Sequence, residues 1–182
     1  MCSSSLVAVH LACRHLIEGA CDAAIAGGVN LYLHPSNYIG LSAQRMLAPD
    51  GRCKSFGEGG DGFVPGEGVG ALLLKRLDRA ERDGDCVLAT IIASEVNHGG
   101  RTHGYTVPSP EAQARLVAAA IVRAGIDPAT VTCIEAHGTG TELGDPIEVA
   151  GLTQGFAAAA RGYPPLPAGP WCALGSVKSN IG

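Results

Sequence analysis

A chain of 182 residues, 46% hydrophobic and 16% charged with a mean hydropathy of +0.19, has the size of one domain and the composition of a packed α/β protein, which excludes disorder for most of it. Its 13 Lys and Arg against 17 Asp and Glu give a formal charge of -4, so no basic surplus points to nucleic acid or to an anionic membrane surface. The longest apolar runs, such as Val69 to Leu74 and Val117 to Val122, fall far short of the roughly 20 residues that cross a bilayer.

The opening Met1-Cys2-Ser3-Ser4-Ser5 lacks the charged region of a secretory signal, which implies a cytoplasmic protein. Leu6, Val9, Cys13, Leu16 and Ile17 then recur at helical spacing, and the preceding serines can cap the first N–H groups. The helix therefore starts almost at residue 2 and closes at Gly19. Cys21 to Val29 is an unbroken run of small and branched apolar residues, which predicts a short, fully buried strand.

From Pro49 to Gly68 the chain is rich in Gly, Asp, Glu and Pro and reads as a turn-rich loop. Strand character returns at Val69 to Leu74. A second β-branched run, Val87 to Ala93, is expected to pair with it as an antiparallel hairpin across the charged stretch Lys75 to Asp85. Ser109-Pro110-Glu111 is a strong helix start, with Leu116, Ala120, Ile121 and Ala124 on the buried face and Gly125 at the end. Val131 to Ile134 predicts a strand entering a Gly/Thr loop at His137, and Asp145-Pro146 opens another helix. Residues 157–170, rich in Ala, Pro and Gly, predict an exposed excursion before strand-like sequence resumes at Trp171. No internal repeat of fixed period is present.

Seven cysteines with no C-x-x-C pair fit neither a disulfide framework nor a zinc ribbon. Cys2 stands at a helix start, where unpaired N–H groups and the macrodipole favour a thiolate; it reads either as a nucleophile or as a small residue in a tight turn. Cys13, Cys21, Cys86 and Cys133 read as packing residues. His137, in Glu135-Ala136-His137-Gly138-Thr139-Gly140-Thr141, falls at the C-terminal end of a predicted strand, among glycines that let a ligand approach and threonines that offer hydroxyls. His10 and His15 fall on the first helix as surface or packing residues. His98 and His103 flank a Gly-rich loop without a third ligand, so no metal site is expected. A literal G-x-G-x-x-G at Gly57, Gly59 and Gly62 has neither a buried strand before it nor a helix after it. Glu58, Asp61 and Glu67 would also repel a pyrophosphate, so these glycines read as loop permissiveness. Taken alone, Lys178 reads as an exposed lysine, and Asp145 and Glu148 as acids suited to a helix start.

Taken together, Cys2-Ser3-Ser4-Ser5-Leu6, Asp61-Gly62-Phe63-Val64-Pro65-Gly66-Glu67-Gly68, His137-Gly138-Thr139-Gly140-Thr141 and Lys178-Ser179-Asn180-Ile181-Gly182 resemble the β-ketoacyl synthase (ketosynthase) domains of modular type I polyketide synthases. The resemblance covers the whole chain, while the family's domain extends further on both sides, so an internal piece is expected. It implies the thiolase-like α/β fold, a duplicated five-layer αβαβα arrangement acting as a homodimer, with residues 1–182 spanning the end of the first half and the start of the second.

The family's chemistry, carried onto matching positions, makes Cys2 the acyl acceptor. It receives the chain from the phosphopantetheine arm of an acyl carrier protein, with no cofactor or metal bound by the domain itself. A malonyl-type extender then loses carbon dioxide and attacks the thioester. His137 corresponds to one of two histidine donors to the developing enolate, Thr139 and Thr141 to hydroxyls holding the arm, Lys178 to a lysine ordering the second histidine, and Asp145 and Glu148 to a supporting network. The second histidine is expected directly after Gly182, so the chain alone is not expected to condense, and because its sheet lacks partner strands it is expected to fold poorly. Val64 to Gly68 and His103 to Pro110 look more like synthases that borrow a separate acyltransferase. Alternatives are a fatty-acid 3-oxoacyl-[acyl-carrier-protein] synthase, a non-elongating ketosynthase that only passes acyl chains on, and a cysteine hydrolase, which needs a base paired to the thiol.

Overall fold

The computed structural model describes residues 2–102, 104 and 107–182. In chain order its elements are α1 (Ser4–Ile17), β1 (Ala23–Asn30), α2 (Ser36–Ala43), β2 (Gly68–Lys75), α3 (Leu77–Asp83), α4 (Pro110–Ala124), β3 (Cys133–Glu135), α5 (Gly144–Ala159), β4 (Ala173–Gly175) and α6 (Lys178–Ile181), with a 3-10 turn at Pro128–Thr130. They fall into two compact units, one made of the chain through Leu31 together with Glu67–Val96, the other of Tyr32–Gly66 and Asn97–Gly182.

In the first unit β1 and β2 form an antiparallel ribbon in the register Ala23↔Lys75 to Asn30↔Gly68, and α1 packs on β1. Gly28 makes the close approach possible, because a Cβ there would stand 2.7 Å from the Cβ of Ser5 on α1. The helix begins at Ser4, but its N-cap Ser3 makes no side-chain capping bond, so the predicted serine cap is replaced by a bare start. Its end is as expected: Gly19 takes φ +73, and the N–H groups of Gly19 and Ala20 return to the carbonyls of Leu16 and His15.

Two expectations for this unit are corrected. The strand around Cys21 to Val29 forms, but of its residues only Ala26 is buried, because the ribbon has two strands and leaves most of its surface open. The partner of β2 is β1 rather than Val87 to Ala93. Those residues form no strand, and Leu88 is 94% exposed. β-Branched composition favours a pleated, half-buried surface only where another strand is there to pair. The intervening charged stretch instead winds into α3 and stops at Gly84, φ +74.

In the second unit β3 and β4 pair in parallel, Cys133↔Ala173 through Glu135↔Gly175, and α4 lies against α5. α4 is built as its sequence implies. Ser109 Oγ accepts the Ala112 N–H at 3.2 Å, Pro110 fills the first turn and Gly125 closes it at φ +64. Its buried residues are Ala112, Ala114 and Ile121, so Ile121 alone of the four expected positions is fully covered. Small residues make the helix contact: a Cβ on Gly151 would meet Gln113 Cβ at 2.9 Å, and one on Gly155 would meet Val117 Cβ at 2.8 Å. Ile121, Phe156 and Ala159 form the core, with Val117, Ile134, Leu166 and Trp171 around it. α5 therefore continues to Ala159, and the excursion expected from residue 157 begins only after Ala160, because Phe156 and Ala159 face that core. Among the described residues no helix is long and apolar enough to cross a membrane.

Candidate active site

The end of β3 delivers the chain to the loop His137–Thr141, and α5 starts three residues later. The loop's backbone is held mainly by side chains from elsewhere in the second unit. The N–H groups of His137 and Gly138 donate to the two carboxylate oxygens of Glu148, at 2.7 and 2.8 Å. Three consecutive carbonyls are received in turn. His137 O accepts from Ser176 Oγ at 3.3 Å, Gly138 O from Ser55 Oγ at 2.5 Å, and Thr139 O from Cys53 Sγ at 3.4 Å.

Asp145, 7% exposed, accepts the N–H of Phe56 at 2.8 Å and that of Thr141 at 3.4 Å. Its carboxylate thus ties residues 53–56 to the His137 loop. Asp145 and Glu148 lie three residues apart on α5, so both point from one helix face; their sequence reading as acids suited to a helix start understates them, since each grips backbone outside the helix. At the other end of the loop Glu135 Oε1 accepts the Val177 N–H at 2.8 Å.

Glycine is required at two points. Gly138 has φ +44, and a Cβ there would lie 2.6 Å from Ser176 Cβ and 2.9 Å from the Phe56 ring. Gly140 has φ +68, and a Cβ there would lie 2.8 Å from the Lys54 nitrogen. The Gly57-x-Gly59-x-x-Gly62 segment takes part in this packing, since the Gly62 N–H donates to Gly140 O at 3.3 Å and Asp61 bridges to Thr141. No helix follows these glycines before β2, in keeping with their reading as a loop.

His137 keeps an exposed edge, yet enough atoms surround the ring that desolvation lowers its pKa from the ordinary histidine value. The positive charge of Lys178 pushes the same way, against the opposing pull of Glu148 and Asp145. Neutral imidazole is thereby favoured, with one ring N–H to donate. Thr139 and Thr141 place their hydroxyl oxygens 3.2 Å apart, and Thr141 Oγ1 also accepts the Gly144 N–H at 3.2 Å. Lys178 opens α6 with its N–H 3.4 Å from Ser176 Oγ. A groove of about 830 Å³ is lined by Phe56, Asp61, Thr141, Glu142 and Asp145 among others, so it opens beside the loop.

Cys2 belongs to the first unit, where it is exposed just before the N-cap of α1. His10 Nδ1 lies 2.9 Å from Ser94 Oγ, and His98 Nδ1 accepts the Gly100 N–H at 2.9 Å. His103, paired with His98 in the sequence reading, and Tyr105 and Thr106 of the same motif lie outside the described residues. Among the cysteines read as packing residues, Cys86 and Cys133 are exposed instead.

Residues 1–80 match the family described as Beta-ketoacyl synthase, N-terminal domain, and residues 88–182 match Beta-ketoacyl synthase, C-terminal domain. The chain belongs to the β-ketoacyl synthase family. Two solved ketosynthases superpose on it with a TM-score of 0.91 each. The oxazolomycin ketosynthase domain OzmH KS7 of Streptomyces albus JA3453 is 52% identical over 99% of this chain and 31% of that one. The ketosynthase from module 6 of the Bacillus subtilis 168 bacillaene synthase is 47% identical over 99% and 32%.

Polyketide synthase PksL of Bacillus subtilis (strain 168) and polyketide synthase ThaG of Burkholderia thailandensis are each 54% identical over all 182 residues. The chain spans 4% and 3% of these two relatives. It has the fold of part of a thiolase-like ketosynthase, about a third of the solved domains' length. The sequence reading missed Cys53, Ser55, Ser176 and Glu135, whose partners in or beside the ketosynthase loop lie far off in the chain. The only local hint was a cysteine and a serine placed just ahead of a glycine-rich turn.

Proposed function

We propose that this chain carries the central catalytic segment of a polyketide synthase ketosynthase and that the complete domain performs a decarboxylative Claisen condensation. The observation that carries the reading is the His137 loop, braced along its backbone and biased toward a neutral imidazole. An N–H held in a fixed direction is what a developing enolate oxygen needs, since preorganised donors stabilise charge that appears only in the transition state.

In the proposed cycle the Cys2 thiolate attacks the thioester of an acyl group brought on the phosphopantetheine arm of an acyl carrier protein, and the arm's thiolate leaves. A carrier-bound malonyl-type extender then loses carbon dioxide, and the electron pair of the broken bond becomes an enolate whose oxygen accepts a hydrogen bond from His137. That carbanion attacks the Cys2 thioester, forms the new carbon–carbon bond and expels the cysteine sulfur. Thr139 and Thr141 offer hydroxyls to the arm, Lys178 orders a second histidine, and Asp145 and Glu148 hold the loop. The arm belongs to the substrate, so no resident cofactor or metal is invoked. The working unit is a homodimer in the cytoplasm, in which this chain supplies the end of the first half and the start of the second.

The test uses the complete ketosynthase domain containing this segment. An acyl thioester should add one acyl mass in intact mass spectrometry, abolished by Cys2→Ala, and His137→Ala should stop carbon dioxide release from a malonyl carrier protein while leaving that acylation in place. Acylation that survives Cys2→Ala would refute the assignment. Acyl loading without carbon dioxide release in the unmodified domain would instead support the non-elongating alternative.

A further inference from the structure

We propose that Cys53 and Ser55 are positioning residues for His137, fixing the peptide planes that follow it and so the direction of its ring. The inference deepens, and rests on, the condensing function proposed above. Gly138 and Gly140 both occupy the left-handed region, and glycine gives a backbone more conformational freedom than any other residue. The peptide groups between them are therefore the soft part of the loop. Glu148 and Ser176 hold the peptide joining His137 to Gly138 at both ends, through the Gly138 N–H and the His137 carbonyl. Beyond that point the carbonyls of Gly138 and Thr139 are met by Ser55 and Cys53.

Ser55 Oγ lies 2.5 Å from Gly138 O. Cys53, 7% exposed, has its sulfur 3.4 Å from Thr139 O, 3.9 Å from Gly138 O and 3.7 Å from Ser55 Oγ. A buried thiol directed at two carbonyls acts as a weak donor. The two side chains come from a segment that is itself anchored, because the next residue, Phe56, donates its N–H to the buried Asp145 carboxylate. Asp145 also accepts from Thr141, so the segment and the loop share one anchor. Removing both donors would free the planes after Gly138 to rotate about glycine and let the imidazole wander, while leaving the Glu148 clamp in place.

The complete domain carrying Cys53→Ala with Ser55→Ala tests this, beside the restoring pair Cys53→Ser with Ser55→Thr, which keeps both donors. The expected result is a fall of about tenfold or more in kcat for carbon dioxide release from malonyl carrier protein, with KM and the rate of Cys2 acylation within about twofold of the parent. The restoring pair should regain most of the rate. The titration of His137 followed by NMR should move up toward the ordinary histidine range in the alanine pair, because a loosened ring gains water. An unchanged kcat, an equal loss of decarboxylation and Cys2 acylation, or failure of the restoring pair would overturn the proposal. If carbon dioxide release survives His137→Ala, the functional reading fails; the positioning claim is then decided by the titration alone, upheld by an upward shift in the alanine pair and overturned by none.

Discussion

Glu148→Ala is the most direct probe of the loop's architecture. The carboxylate receives two backbone N–H bonds at 2.7 and 2.8 Å, the short lengths typical of a charged acceptor. Bonds of that kind contribute about 1.5–3 kcal/mol each, and a buried donor left without a partner costs about 1–3 kcal/mol. His137 is exposed whereas Gly138 is buried, so water replaces the acceptor for the first N–H and does so poorly for the second. The expected loss of local stability is therefore about 3 kcal/mol, weighted toward Gly138. Since about 1.4 kcal/mol is a factor of ten, the exchange protection of the Gly138 amide should fall by about two orders of magnitude, and that of His137 by less. Glu148→Gln keeps one acceptor oxygen and should lie between. Amide hydrogen exchange read by NMR, residue by residue, gives the answer. Equal protection of both amides in the parent and in Glu148→Ala would show that the clamp contributes nothing.

Four further outcomes are expected. Gly138→Ala meets both a left-handed backbone and overlap with Ser176 and Phe56, so it should cost about 2–4 kcal/mol in urea unfolding, more than Gly19→Ala, which shares the left-handed backbone at φ +73 but whose added Cβ meets open space. Lys178→Met should raise the pKa of His137, followed by NMR, because it removes a positive charge that lowers it alongside desolvation. The folded pKa lies below the unfolded one, so the unfolded chain binds more protons between the two; the stability His137 contributes is complete above 6.5 and is lost as pH falls toward the folded value. Stability against pH should accordingly slope less across that window in His137→Gln. Ser109→Ala removes the side-chain cap of α4 and should cost about 1 kcal/mol of unfolding free energy.

What could be read from the sequence followed how local its cause was. The start and stop of α4 rest on Ser109, Pro110 and Gly125, each acting within a turn of itself, and both were legible. So was the loop at His137, where small and hydroxyl residues follow a strand. The pairing of β2 was not, because β1 and the Val87 to Ala93 run have comparable strand character and nothing within either says which edge β2 will find. The same limit hid Cys53 and Ser55, whose acceptors lie 86 and 83 residues away. A serine before a glycine turn has no local mark that distinguishes a donor to a remote carbonyl from an ordinary loop hydroxyl.

The seam between α4 and α5 bears on how variants of such proteins should be read. Gly151 and Gly155 set the spacing of the two helices, and the opening turns of α5 carry the carboxylates that grip the His137 loop. An alanine at either glycine would act as a shim, tilting the whole rod and dragging both acids with it. A defect placed well along the helix from any reacting atom would then register in an assay as slow chemistry, and substitutions along that seam belong with those of the pocket when inactive variants are sorted.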